Sequence, residues 1–138
     1  MHFTTLFLME DRELKNTSNA LIEDLFRDNY CYCWGETNPT YRDWCDWFVI
    51  GGRWNDEAIL KTKTGRIGED GFGDYKERQI QVCEVKDLTE PLVTDYIYAV
   101  ADEFGNLYES EEDGFGELIR KINSKQVKGV LAIIDCHD

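Results

Sequence analysis

Two apolar runs at opposite ends of the chain constrain its fold more than any other feature. HFTTLFLME at 2–10 and VLAIIDCHD at 130–138 are rich in β-branched, aromatic and other apolar residues, and neither approaches the length of a transmembrane segment. The first run predicts a strand that is buried on both faces, and the second predicts a central strand although it is terminal.

Two segments between these runs have helical periodicity. Residues 16–30 carry one apolar stripe, and Thr17 or Ser18 is expected to cap the start of the helix. Residues 113–129 carry a second stripe, with Asp113 as the expected N-cap. The stripes consist of Leu21, Ile22, Leu25 and Phe26 in the first segment and of Leu118, Ile119 and Ile122 in the second.

The remaining segments are predicted to form strands and turns. Strands are expected at 44–52, at 53–63 after a bulge at the glycine pair, at 78–88, and in a hairpin at 96–110 around the turn DEFGN. Residues 31–43 read as a loop, and the glycine-rich acidic segment at about 64–78 is expected to be an exposed, mobile loop.

The element order β-α-β(β)…β-β-β-α-β predicts an α+β fold. We expect a mainly antiparallel sheet with two helices packed on one face, in a ferredoxin-like arrangement. No segment resembles an interdomain linker, so residues 1–138 are expected to form a single domain.

Charge is the strongest signal in the composition. Twenty-eight acidic and 15 basic side chains give a formal net charge of −13. Such a field repels phosphate backbones and anionic membranes and attracts basic surfaces, although it is equally consistent with a role in solubility alone. General nucleic-acid binding and membrane binding are therefore disfavoured. The expected contacts with a basic partner are Glu69, Asp70, Asp74, Glu111 and Glu112.

Three of the four tryptophans lie in one short run, DWCDWFVIGGRW at 43–54. On a strand, Trp44 and Trp47 point to opposite faces, and the glycine pair then allows a bend that presents Arg53 and Trp54. Indoles offer flat apolar faces and arginine offers a planar fork for carboxylate or phosphate, so these four residues are candidates for binding a small anionic ligand.

The same run also has a purely structural interpretation. Tryptophans at a strand end often fill the core of a small sheet. Arg53 would then form an ion pair with a nearby carboxylate, namely that of Asp43, Asp46 or Asp56.

Five cysteines without a regular spacing indicate free thiols in a reducing cytoplasm. Because neighbouring residues of a strand face opposite ways, Cys136 and His137 are not expected to form a dyad, whereas Asp135 and His137 share a face. A thiol enzyme would need Cys45 or Cys83 beside His137. A zinc site would draw on Cys31, Cys33, Cys45 and either Cys136 or His137.

The run at 43–54, together with IIDCH at 133–137, resembles a family of small proteins carried mainly by bacteriophages and prophages. Those proteins share a DWxxIGGRW-like segment, a hairpin similar to ADEFGNLYE here, and an end near VDCH. The resemblance covers about a third of the chain and departs from the family pattern at Asn106-Leu107 and at Asp138. It implies a phage accessory protein in the cytoplasm of a bacterial host. The family-like positions are Trp47, Gly51, Gly52, Arg53, Trp54, Asp135, Cys136 and His137.

These observations favour a non-catalytic accessory protein, with a role against host defence as one option, whose acidic surface binds a basic nucleic-acid-handling or defence protein of the host. One alternative is a protein that binds or sequesters a nucleotide signal through Arg53 and the neighbouring tryptophans. Another is a thiol- or zinc-dependent enzyme. Under the favoured reading we expect no metal ion and no organic cofactor, and the sequence does not indicate an oligomeric state.

Overall fold

A computed structural model describes residues 1–31, 43–54, 59–62 and 79–138. Two α-helices occur in these ranges, α1 at Asn19–Tyr30 and α2 at Asp113–Asn123. The strands are β1 (His2–Glu10), β2 (Trp47–Ile50), β3 (Leu60–Lys61), β4 (Gln79–Ile80), β5 (Val82–Glu84), β6 (Ala99–Asp102), β7 (Leu107–Glu109) and β8 (Gly129–His137).

The main sheet has the strand order β2-β8-β1-β6-β7, with β5 pairing the first half of β8 beside β2. Among these strands of the described ranges, only β1 and β6 pair in parallel, while β3 and β4 form a separate antiparallel pair. The predicted α+β class with a mainly antiparallel sheet is therefore confirmed. The central position of the terminal run is also confirmed, because β8 lies between β1 on one side and β2 and β5 on the other.

The prediction that both helices pack on one face of the sheet is wrong. Ile22 and Phe26 of α1 pack in a buried cluster with Phe7 and with Ala132. Phe115, Ile119 and Ile122 of α2 pack in a second cluster with Leu6, Leu8, Leu131 and Ile133. Because successive side chains of a strand point to opposite faces, the two clusters lie on opposite faces of β1 and β8.

Chain topology explains this arrangement. Two connections cross the sheet in the same direction, toward the edge that β2 forms. One leads from β1 through α1 to β2, and the other leads from β7 through α2 to β8. Their strands run in opposite directions, since β1 pairs in parallel with β6 and β6 pairs antiparallel with β7. Right-handed crossovers between parallel strands then require opposite faces for the two helices, which excludes the ferredoxin-like arrangement.

The helix ends differ in part from the sequence-based expectation. Ser18 caps α1 as predicted, and its hydroxyl accepts a hydrogen bond from the Leu21 amide at 3.1 Å. Glu112, rather than Asp113, is the N-cap residue of α2, and Asp113 is its first helical residue. The helix ends at Asn123 because the chain soon adopts a positive φ of 58° at Lys125, which an α-helix does not accommodate.

The predicted hairpin is confirmed, and a buried carboxylate organises its turn. Asp102 accepts hydrogen bonds from the amides of Phe104 and Asn106 at 2.8 and 3.1 Å and from the Asn106 side chain at 2.8 Å. The Tyr30 hydroxyl donates to the carbonyls of Asp102 and Asn106 and so joins α1 to the turn. The Asn106 side chain thus closes this turn.

Other predicted segments are shorter than expected or fall outside the described residues. The strand predicted at 44–52 is β2, the segment at 53–63 contains β3, and the segment at 78–88 contains β4, β5 and a 3₁₀ turn at Val85–Asp87. Most of the loop predicted at 31–43 and the acidic loop predicted at 64–78 lie outside the described residues. In the part of the chain that is described, no helix is long and apolar enough to cross a membrane.

Candidate functional site

Strand register brings the two ends of the chain and the tryptophan-rich run together at one end of the main sheet. His137 of β8 pairs with His2 of β1 on one side and with Trp47 of β2 on the other. Asp135, two residues before His137, is flanked in the same way by Thr4 and Val49. We call this group, together with the adjoining turn, the sheet-end site. It comprises His2, Thr4, Trp47, Arg53, Asp135 and His137.

Three rings of the sheet-end site are in mutual contact. The His137 imidazole stacks on the Trp47 indole, with centroids 4.8 Å apart and an interplanar angle of 15°. The His2 ring meets both edge-on, at 5.1 Å from His137 and 5.7 Å from Trp47. Trp47 remains 45% exposed, so much of its indole is available to a ligand.

Asp135 is the buried centre of the site. Its residue exposure is only 3%, and each of its carboxylate oxygens has a partner. Oδ1 accepts a hydrogen bond from His2 Nδ1 at 2.9 Å, and Oδ2 accepts one from the Arg53 backbone amide at 2.9 Å. The carboxylate therefore fixes the orientation of one imidazole and the position of the turn that carries the arginine.

The glycine pair of IGGRW lets the chain fold closely over Asp135. Gly51 and Gly52 have φ values of 75° and 53°, in the left-handed region that favours glycine. A Cβ on Gly52 would lie 2.6 Å from the Asp135 Cβ and closer still to Oδ2. Only a glycine at 52 permits the 3₁₀ turn Gly52–Trp54 to present the Arg53 amide to the carboxylate.

Two buried polar atoms of the site have no hydrogen-bond partner. These are Thr4 Oγ1 and His137 Nδ1, and no other buried side-chain nitrogen or oxygen in the described residues is unpartnered. An unpartnered buried group costs about 1–3 kcal/mol. Thr4 pairs directly with the buried Asp135, and His137 lies two residues farther along β8 on the same face of the sheet. Within the described residues, both unpartnered groups therefore lie in the sheet-end site.

A cavity of about 310 Å³ adjoins the site on the β1 side. His2 and Thr4 line it, together with Tyr96, Tyr98 and Asp95 from the segment that leads into β6. The two tyrosines are 44% and 46% exposed, and the Tyr98 ring stacks on Trp44. A hydrogen bond with Glu109 raises the pKa of the Tyr98 hydroxyl, which is therefore neutral and polar at the cavity wall.

The structure unites some of the predicted ligand-binding residues and separates others. Trp47 and the turn of Arg53 meet around Asp135 and His137, and the Arg53 side chain is exposed. Within the described ranges Arg53 forms no ion pair, so neither Asp43 nor Asp46 neutralises it.

Trp44 lies on the opposite face of the sheet, as the strand alternation predicts. Its Nε1 donates to Thr5 Oγ1 at 2.8 Å, and its ring packs on Phe3 and Tyr98 at centroid distances of 5.1 and 5.9 Å. It therefore belongs to the packing around α1 and does not join Trp47 in the sheet-end site. The side chain of Trp54 and the carboxylate of Asp56 lie outside the described structure.

The cysteines form a buried cluster on the α1 face. Cys31, Cys45 and Cys136 are buried there, whereas Cys83 lies on the α2 face. The pKa of the Cys45 thiol is raised well above its ordinary value, mainly by a hydrogen bond with Cys136 and to a smaller extent by burial. Burial raises the pKa of Cys83 to about 12. These two thiols are protonated at neutral pH, unlike the thiolate that a nucleophile requires.

Neither chemistry considered for the cysteines and His137 finds support in this geometry. Cys136 and His137 face opposite sides of β8, as predicted, so the thiol cluster and the imidazoles are separated by the sheet. Across the described ranges, no group of three or more histidine, cysteine or acidic side chains is placed to hold a metal ion. Cys33, the remaining zinc-ligand candidate, lies outside these ranges.

The predicted partner-binding carboxylates are described only in part. Glu111 and Glu112 are exposed in the connection between β7 and α2, and Glu112 accepts a hydrogen bond from the Glu109 amide at 3.1 Å. Glu69, Asp70 and Asp74 lie outside the described residues.

No protein-family model matches the chain, and neither the curated proteins nor the solved structures contain a significant match.

Sequence reasoning missed two residues of the sheet-end site, His2 and Thr4. In the sequence His2 is the first residue of a predicted apolar strand, and a threonine in such a run does not indicate a site. The signal that identifies both is the antiparallel register of β1 and β8, in which the start of the chain faces Asp135-Cys136-His137. That register becomes visible only when the two terminal runs are known to be neighbours.

Proposed function

We propose that this protein binds a small, planar, anionic ligand of the nucleotide class at the sheet-end site. The observation that carries the proposal is that the exposed Trp47 indole stacks on His137, while Asp135, two residues away, holds the turn that carries the exposed Arg53. Arg53 has no ion pair in the described residues, and a 310 Å³ cavity lined by His2 and Tyr96 adjoins the site.

The parts of the site match the parts of a nucleotide. Trp47 supplies an aromatic face for a base, and Tyr96 lines the adjoining cavity. Arg53 supplies a guanidinium for a phosphate, and its backbone position is fixed by the hydrogen bond to Asp135. Such a preorganised arginine loses little conformational freedom on binding, which favours affinity for a small ligand.

The net charge of −13 disfavours long anionic ligands but still permits a small anion to bind. At physiological ionic strength the Debye length is about 8 Å, so distant carboxylates act weakly on a group bound at Arg53. A long nucleic acid, in contrast, would extend along the acidic surface and be repelled. The proposal is accordingly for a mononucleotide, a dinucleotide or a cyclic nucleotide.

We place this activity in a phage accessory protein that sequesters a nucleotide signal in the cytoplasm of a bacterial host. The resemblance to phage proteins supports this context. Six of its positions converge in space, because Gly51, Gly52, Arg53 and Trp47 meet Asp135 and His137 at the sheet-end site.

Calorimetric titration with nucleoside monophosphates and cyclic dinucleotides tests the proposal. We expect saturable binding of at least one of them, weakened about 10- to 100-fold in Arg53→Ala, because a charge-assisted hydrogen bond contributes about 1.5–3 kcal/mol. Arg120→Ala, which removes an exposed arginine of α2, is the matched control and is expected to bind as the wild type does. Absence of binding across the whole panel would reject the proposal.

The acidic surface supports a second candidate, binding to a basic protein of the host. Glu109, Glu111, Glu112 and Asp113 are consecutive or nearly so and are all exposed. Long-range attraction from such a patch accelerates association with a basic surface and is weakened by salt. The partner class proposed is a nucleic-acid-handling or defence protein, whose surface is basic where it contacts phosphates.

This candidate is tested by charge removal. Capture of host proteins is compared between the wild type, the pair Glu111→Gln and Glu112→Gln, and the control pair Glu23→Gln and Asp24→Asn on the exposed side of α1. We expect a salt-sensitive partner to be lost only from the first pair. Equal capture by both pairs would show that the patch is not the contact.

A further inference from the structure

A second cavity lies at the end of the main sheet opposite to the sheet-end site. Its volume is about 530 Å³, within the range of small-molecule sites. Its walls are formed largely by the segment that follows β1 and by the segment that leads into β8, where Glu10 pairs with Gly129. We call it the opposite-end cavity.

Side chains of both charge signs line the opposite-end cavity. Three of them are acidic, and four are basic, namely Arg12, Lys86, Lys125 and Lys128. The wall is therefore almost neutral, although the formal net charge of the chain is −13. A zwitterion has no net charge, so the field of the whole chain neither attracts nor repels it as a unit. A zwitterion consequently suits this cavity better than a phosphate or a polyamine.

Asp11 and Lys128 present opposite charges beside each other without pairing them. The Asp11 amide donates a hydrogen bond to the Lys128 carbonyl at 2.9 Å, so the two backbones are held together. Both residues line the cavity, yet within the described ranges neither side chain forms an ion pair. A ligand with an ammonium and a carboxylate group on one carbon can therefore satisfy both charges at once.

Lys125 fixes a further positive charge at the same wall. Its Nζ donates hydrogen bonds to the carbonyls of Lys86 and Leu88, each at 2.8 Å. An ammonium group has three donors, so one remains for a ligand. Because the two carbonyls already order this side chain, it loses less conformational freedom on binding than a mobile lysine would.

The backbone of the cavity wall is also unusual. Asp11 and Lys125 have φ values of 60° and 58°, and in the described part of the chain no other residue except glycine has a positive φ. This region disfavours a residue that has a Cβ, and such conformations cluster at ligand-binding positions. Both residues line the opposite-end cavity, which supports a binding role for it.

We infer that the opposite-end cavity binds a free α-amino acid in its zwitterionic form. The Asp11 carboxylate accepts hydrogen bonds from the ligand ammonium group, while Lys128 and Lys125 donate to the ligand carboxylate. The inference is independent of the proposed function, because no residue of the sheet-end site lines this cavity.

The test is an NMR titration of the full chain with the standard amino acids, followed through the backbone amide signals. We expect at least one amino acid to shift the signals of 11–13 and 125–129 in a saturable way. Asp11→Asn and Lys128→Gln are each expected to weaken its binding about 10-fold or more, since each removes a charge-assisted hydrogen bond. Asparagine adopts the same left-handed backbone conformation as aspartate, so Asp11→Asn preserves the turn.

Two control variants remove the same kinds of charge outside the cavity. These are Asp24→Asn on α1 and Lys121→Gln on α2, and both are expected to bind the amino acid as the wild type does. Circular dichroism shows whether each variant is folded.

Two analogues of the bound amino acid assign the charges. The N-acetylated form lacks the ammonium group, and the carboxamide form lacks the carboxylate. Asp11→Asn is expected to weaken binding of the carboxamide and to leave that of the acetylated form within about twofold, because the removed group no longer has a partner in that ligand. Lys128→Gln is expected to show the reverse pattern.

The outcomes decide the inference without deciding the proposed function. Absence of saturable shifts at 11–13 and 125–129 with every amino acid overturns it. Binding that Asp11→Asn and Lys128→Gln leave unchanged also overturns it, as does equal weakening of both analogues by each variant. Nucleotide binding at the sheet-end site is expected to be the same in these variants as in the wild type, so the failure of one proposal leaves the other standing.

Discussion

Substitution of Gly52 by alanine tests how the sheet-end site is built. Gly52 has a φ of 53°, and the three nearest heavy atoms to an added Cβ all belong to the Asp135 side chain. A non-glycine residue in the left-handed region costs about 1–2 kcal/mol. Displacing the carboxylate also breaks its hydrogen bond with the Arg53 amide, worth about 1.5–3 kcal/mol. We therefore expect Gly52→Ala to lower the free energy of unfolding by about 2.5–5 kcal/mol.

A double-mutant cycle separates the two contributions. In an Asp135→Gly background the added methyl group no longer meets the carboxylate, and Gly52→Ala is expected to cost only the backbone term of about 1–2 kcal/mol. Urea unfolding followed by tryptophan fluorescence measures all four proteins. Gly116→Ala is the control, because a Cβ there meets nothing within 4 Å, and this helical position is expected to gain up to about 1 kcal/mol. An equal cost of Gly52→Ala in both backgrounds would refute the contact with Asp135.

Three further changes test other parts of the account. Thr4→Val removes the unpartnered hydroxyl at nearly constant volume and is expected to raise the free energy of unfolding by about 1 kcal/mol in the same urea assay; a loss would show that Oγ1 has a partner. Tyr30→Phe leaves the carbonyls of Asp102 and Asn106 without this donor and is expected to lower the unfolding free energy by about 1–3 kcal/mol, with no change contradicting the bond. Because the pKa of Cys83 is raised from 9.0 to about 12, its contribution to stability is complete below pH 9 and is lost as the pH rises toward 12, with a slope of about 1.4 kcal/mol per pH unit that Cys83→Ala removes. An unchanged slope in that variant would contradict the burial of this thiol.

The terminal runs were predictable from sequence because burial on both faces leaves a continuous apolar pattern. Residues 2–10 and 130–138 indeed form β1 and the central strand β8. The same pattern conflicts with placing both helices on one face, since a strand that is apolar on both sides needs a cover on each. The topology that resolves the conflict depends on β2 pairing beside β8, a long-range contact that no local pattern encodes.

Some residues of the candidate site could be predicted from the sequence. Trp47, Arg53, Asp135 and His137 attract notice as unusual residue types, and IGGRW signals a sharp bend. That Asp135 would orient His2 rather than His137 follows from strand pairing and from the turn at Gly52, not from adjacency in the sequence. Trp44, only three residues from Trp47, packs on the other face because the strand alternation separates them.

Histidine-selective NMR tests the central claim most directly. The chain has two histidines, His2 and His137, and both lie in the sheet-end site, so protein labelled only in its histidine rings reports on that site and on nothing else. Titration with a nucleotide that binds by calorimetry is followed in the wild type and in Arg53→Ala.

We predict that both imidazole signals shift and saturate with the calorimetric affinity in the wild type. In Arg53→Ala the same concentrations are expected to leave them nearly unchanged, while Arg120→Ala behaves as the wild type does. Imidazole signals that stay fixed while a nucleotide binds would place the ligand elsewhere and contradict the account.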